Sequence, residues 1–103
     1  MSQNNSSRIL IYSHDTFGLG HLRRCRAIAH HLVEQHKHLT VLILSGSPII
    51  GSFDFRTRVD FVRVPGVIKL RNGEYTSLSL HMDIEDTLML RSSIIKHTAS
   101  IFD

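Results

Sequence analysis

The chain of 103 residues has no tryptophan, two prolines and a single cysteine. The lone cysteine, Cys25, excludes an internal disulfide and suits a reducing cytoplasm. No apolar run is long enough to span a bilayer. The opening residues, Met1 to Ser7, are polar and lack a signal-peptide core, so they read as a disordered leader before one domain at 8–103. Charge of one sign is not massed: the net charge is +3 and the arginines are scattered. With no nucleic-acid motif in sight, nucleic acid is not the expected partner, and an anionic small molecule accounts for the balance equally well. What is present is a hydrophobic fraction of 42%, enough for a packed core.

The pattern along the chain alternates. Arg8 to Ser13 reads as a short buried strand of the parallel kind. Gly20 to His36 is helical, with Leu22, Cys25, Ala29, Leu32 and Val33 on one apolar face. Leu39 to Leu44 is a second buried strand, and Val59 to Val64 a third. Pro65 to Ser79 reads as a long loop broken by Pro65, Gly66 and Gly73. Asp83 to Phe102 is a strong helix with an acidic first turn and an inner face of Ile84, Leu88, Ile95 and Phe102. This order predicts an α/β fold: a Rossmann-like three-layer fragment with a short parallel sheet. Three strands make a thin sheet, so one sheet edge and one helix face are expected to be exposed, and either can support a dimer. The expectation is that the chain is a partial N-terminal domain.

The first loop holds the chemistry. Phe17-Gly18-Leu19-Gly20-His21-Leu22-Arg23-Arg24-Cys25-Arg26 joins the first strand to the first helix. Unpaired N–H groups and the dipole at a helix start favour an anion, and glycines let it approach. Gly18 and Gly20 allow positive φ or close approach, or simply a tight turn. A dinucleotide fingerprint needs a third glycine where Arg23 stands, and no acidic residue ends the second strand. The nucleoside-triphosphate loop needs Gly-Lys-Ser/Thr, which is absent. His21 can act as a base, or can merely flank the helix start. Arg24, like Arg23, can grip a diphosphate or belong to a solvated face. His14 and Asp15 follow the first strand at its carboxyl end, and Ser45, Gly46 and Ser47 follow the second. Open α/β sheets bind ligands at that edge, although turn chemistry explains these residues too. Cys25 reads as a small core residue. His30, His31, His36 and His38 lack zinc-helix spacing. Arg56, Arg58, Arg63, Lys69 and Arg71 flank the long loop as surface charge that can meet an anionic acceptor or a membrane surface.

The Phe17-to-Cys25 stretch resembles the first loop and helix of GT-B glycosyltransferases. It is similar to the enzyme that adds N-acetylglucosamine to the lipid-linked peptidoglycan precursor. The Gly-x-Gly-His-x-x-Arg-Cys spacing is closer to nucleotide-sugar hydrolases of sialic-acid-like sugar pathways, which share that fold. Ser45-Gly46-Ser47-Pro48 resembles the second loop of predicted bacterial glycosyltransferases. The resemblance covers residues 8–50, and the rest only in layout. It implies the acceptor-side domain of a two-domain enzyme, with the nucleotide-sugar donor held by a missing C-terminal domain. It also implies a sugar or lipid-linked acceptor, no bound metal or other cofactor, and a cytoplasmic enzyme that can sit at the inner face of the membrane. His21 would be the general base, with Gly18, Leu19, Gly20, Arg24, Ser45, Gly46, Ser47 and His14 near the phosphates or substrate. The lipid-linked family shows two adjacent glycines before its histidine, whereas Leu19 intervenes here, which leaves the acceptor open. Two alternatives stand: a nucleotide-sugar hydrolase in which His21 activates water, and a non-enzymatic phosphate-binding module.

Overall fold

A computed structural model describes residues 7–13 and 20–102. Three strands, β1 (Ser7–Ser13), β2 (Leu39–Ser45) and β3 (Val59–Arg63), form one parallel sheet in the order β1-β2-β3. Helix α1 (Gly20–Gln35) links β1 to β2, and a 3-10 turn at Ile50–Ser52 lies on the way to β3. The strands begin and end within a residue of the expected positions; β1 takes in Ser7 and β2 takes in Ser45. The register runs from Ser7 opposite Leu39 to Ser13 opposite Ser45, and from Val41 opposite Val59 to Ser45 opposite Arg63.

Opposite residues of parallel strands share a face, and successive residues alternate. Ile9, Ile11, Val41, Ile43, Val59 and Phe61 therefore make one apolar face. Leu22, Ala29 and Val33 of α1 seal it, with Leu32 half-buried beside them. β2, the middle strand, is covered on both sides, so Val41, Ile43 and Leu44 are wholly buried. Each such side chain contributes about 1.5–3 kcal/mol relative to exposure.

The second face, with Arg8, Leu10 and Tyr12, carries helix α2 (Ile84–Phe102). Arg91 donates to the Tyr12 hydroxyl near the carboxyl end of β1, and Arg8 Nη1 donates to the Ile101 carbonyl near the amino end, at 2.7 Å. The helix thus runs antiparallel to β1. The architecture is α/β, a thin parallel sheet with one helix on each face. No helix among the described residues is long and apolar enough to cross a membrane.

The structure changes two expectations. The long loop after β3 contains an antiparallel hairpin, β4 (Val67–Lys69) and β5 (Tyr75–Ser77). Gly73 turns it with φ of +89°, and Asn72 Oδ1 accepts the Glu74 N–H at 3.0 Å. The inner face of α2 is also different. Its buried positions are Thr87 and Arg91, while Leu88 is 47% exposed; Ile84, Ile95 and Phe102 are half-buried. Polar contacts decide this orientation. Thr87 shares a hydrogen bond with the Ser77 hydroxyl, and Arg91 also donates to the Pro65 carbonyl at 2.6 Å.

The connection from α1 to the sheet is fastened twice. Arg58 has φ of +74°, a conformation that side chains rarely adopt. Its guanidinium donates to the carbonyls of Val33 in the last turn of α1, His36 just after it and Leu39 at the start of β2, at 2.7, 2.9 and 2.7 Å. Upstream, segment 53–56 is pinned to α1. Arg26 Nε donates to the Asp54 carbonyl at 2.6 Å, and its guanidinium lies 5.7 Å from the Phe53 ring centroid. Arg56 pairs with Glu34, and the Arg56 N–H donates to His30 Nε2 at 3.2 Å. Burial, and then the nearby charges of Arg26 and Arg56, hold His30 below its ordinary pKa.

Two outcomes follow from these fastenings. Arg58→Ala removes three charge-assisted bonds and keeps the strained backbone, so urea unfolding should register a loss of about 2–4 kcal/mol. Arg58→Lys, unable to fork, should recover little of it. For His30 the folded state favours the neutral ring, which alone can accept the Arg56 N–H. Its contribution to stability is therefore full above the ordinary value of about 6.5 and declines as pH falls below it. His30→Gln should flatten that part of the Tm-versus-pH curve; an unchanged slope would contradict the assignment.

Candidate functional site

All three parallel strands end at one rim. Register places Ser13, Ser45 and Arg63 in a row across the carboxyl ends, on the face that carries α1. α1 begins at this rim with Gly20, so the N–H groups of its first turn lie there. Ser13 is 2% exposed, and among the described residues its hydroxyl has no hydrogen-bond partner. A buried polar group without a partner costs about 1–3 kcal/mol.

The residues picked out from the sequence divide into three groups. His14, Gly18 and Leu19, with Asp15, lie outside the described residues. Gly20, His21 and Arg24 are exposed in the first turns of α1, as is Arg23. Gly20 lacks a positive φ, one of the uses expected of it, and among the described residues an added Cβ would meet nothing within 4 Å, which is compatible with the other, close approach of a ligand. Ser45, Gly46 and Ser47 are buried, and both hydroxyls already have work. Ser45 Oγ accepts the Ser47 N–H at 3.0 Å, and Ser47 Oγ accepts the Ile49 N–H at 3.4 Å. These serines brace the turn after β2, which is the turn-forming alternative weighed for them. Arg26 likewise serves segment 53–54 rather than the rim.

Other rim residues went unselected. Gly66, just past β3, packs directly on the turn after β2. A Cβ there would lie 2.9 Å from the Gly46 carbonyl oxygen and 3.0 Å from Leu78 Cδ2. Arg63, grouped in the sequence with surface charge, ends β3 and borders a recess of about 230 Å³ with Val64, Pro65, Gly66, Ser79 and Leu80. The signal that finds Ser13, Arg63 and Gly66 is position. Each sits at or just past the carboxyl end of a strand, where open α/β sheets bind.

Chemically, the rim offers N–H donors of a helix start, an imidazole, exposed guanidinium groups and a buried hydroxyl. That set suits an oxygen-rich anion and one proton transfer. Among the described residues, no group of three or more His, Cys, Asp and Glu side chains is placed to hold a metal ion. Comparison with known proteins gives no match: no family model, curated protein or solved structure matches the chain.

The contact of Gly66 with Gly46 is the most sensitive joint of the rim. Both partners of a Cβ there are close, and one is backbone, so Gly66→Ala should cost about 1–3 kcal/mol in chemical denaturation. Amide chemical shifts should move at Gly46 and Leu78 and stay put at α1's far end.

Proposed function

We propose that the chain is the acceptor-side domain of a GT-B-type glycosyltransferase, which moves a sugar from a nucleotide-sugar donor to an acceptor hydroxyl. His21 is the general base, and the turn into α1 is the seat for the substrate's phosphate oxygens, with Arg24 beside it. The observation that carries this reading is the Ser13 hydroxyl, buried and without a partner among the described residues, at the rim where α1 starts. The supporting chemistry is general. A helix start stabilises negative charge, and an imidazole can serve as a general base. The exposure of His21 suits a group that must reach a substrate. The Gly-x-Gly-His spacing at residues 18–21 is the likeness that names the class.

In an enzyme carrying this chain, His21→Ala should lower kcat/KM by about 10²–10⁴. Unchanged kcat/KM would remove the base assignment. Release of free sugar from donor without acceptor would instead favour the hydrolase reading. A distinct check uses the orphaned hydroxyl. Ser13→Ala breaks no bond within the described protein, so it should leave stability unchanged or raise it. It should also weaken binding of a phosphate-bearing substrate, read by titration calorimetry. A marked loss of stability would show that the hydroxyl serves the fold instead.

A further inference from the structure

Arg8, Arg26, Arg56, Arg58 and Arg91 are each held by a partner. Arg63 differs. It is exposed at the last position of β3, and among the described residues its guanidinium has no partner. The backbone just after it is the opposite case. The Val64 N–H donates to the Ser45 carbonyl at 2.9 Å, the Leu78 N–H donates to the Gly66 carbonyl at 2.9 Å, and Arg91 donates to the Pro65 carbonyl at 2.6 Å. Gly66 itself is buried against the Gly46 carbonyl oxygen. Residues 64–66 are thus fixed from the end of β2, from the segment leaving β5 and from α2. Together with Arg63, Ser79 and Leu80 they line the recess of about 230 Å³.

Size and charge narrow what this recess takes. Sites for a whole small molecule span about 300–1,000 Å³, so this one holds a single functional group and a few atoms of what carries it. Arg63 is the one charged residue of its lining among the described residues. One guanidinium balances one negative charge, and its planar fork matches the two coplanar oxygens of a carboxylate. A phosphate ester brings about −1.5 to −2 at neutral pH, and the lining offers no second cation for it. Pro65 and Leu80 supply apolar walls, and Ser79 adds a hydroxyl. Because the backbone wall is already fixed, a ligand need not spend binding energy on ordering it. We propose that this recess is a binding site for a carboxylate carried on a short apolar stem, with the Arg63 guanidinium gripping the carboxylate oxygens and Pro65 and Leu80 flanking the stem. The proposal does not rest on the functional reading above: that reading seats phosphate oxygens at the start of α1, whereas this site lies past the end of β3.

The test is a titration of the protein followed through its amide chemical shifts, with butyrate as the probe and butanol and inorganic phosphate as controls. Butyrate should move the Val64, Gly66, Ser79 and Leu80 amides in a saturable way. Butanol, which lacks the charge, should not, and phosphate should need higher concentrations. Arg63→Gln removes the charged fork and should raise the butyrate Kd about tenfold or more. Arg63→Lys restores a point charge without the fork and should recover part of the affinity. Leu80→Ser should erase the advantage of butyrate over formate. Both side chains are exposed, and unmoved amides in β1 and α1 will show that the variants keep the fold. His21→Ala should leave the butyrate response as it is, so a failure of the base assignment would not touch this site. Absence of a saturable shift would overturn the proposal, as would equal binding by Arg63→Gln. Phosphate acting on the same amides at lower concentration than butyrate would overturn it too, since the site would then not be one for a carboxylate. Shifts confined to Gly20–Arg24 would likewise overturn it, by placing the anion at the start of α1.

Discussion

Everything in this molecule is arranged around the parallel pairing of β1 with β2. Two parallel strands cannot be joined by a tight turn, so a crossover must intervene, and α1 is that crossover. The pairing brings the chain back to the amino end before β2 starts. As a result α1 begins at the carboxyl rim and ends at the opposite one. The position of Gly20, His21 and Arg24 at the rim is thus a consequence of topology. So is the alignment of Ser13 with Ser45 across the strand ends. The apolar row Ile9, Ile11, Val41 and Ile43 keeps the register, because a slip by one residue would turn it away from α1.

The two faces of the sheet are held by different physics. On the α1 side the core is dry, built from Leu22, Ala29, Val33 and the strand residues beneath them. On the α2 side the buried helix positions are a threonine and an arginine. Hydrogen bonds of Thr87 to Ser77, and of Arg91 to Tyr12 and Pro65, fix where that helix sits. Such bonds contribute modestly to net stability but penalise every misplaced alternative, because a buried guanidinium without partners is costly. The helix is accordingly well located and thinly packed, and its apolar flank stays in water.

Much of the fold is legible in the sequence, and the rest is hidden for definite reasons. Buried strands announce themselves as runs of isoleucine, leucine and valine, and α1 by the spacing of Leu22, Cys25, Ala29, Leu32 and Val33. The β4–β5 hairpin has strands of three residues, too short for a period to show, although Asn72-Gly73 marks its turn. The inner stripe of α2 is not legible from hydrophobicity, because Thr87 and Arg91 win their places through partners far away in the chain. The clamp by Arg58 is invisible for the same reason. At the rim, the sequence picks the right strand ends but not the use of each residue. Ser45 and Ser47 are spent on their own turn, whereas Ser13, with nothing unusual around it in the sequence, holds a hydroxyl without a partner among the described residues. Half of the glycine loop, with His14, Gly18 and Leu19, lies outside the described residues.

The clamp at Arg58 has a bearing on how the chain reaches this state. The last carbonyls of α1 and the first of β2 are satisfied by a side chain that lies 19 to 25 residues further along. The end of α1 is therefore completed by a contact distant in sequence, which adds to the contact order of the fold beyond what its local helix suggests.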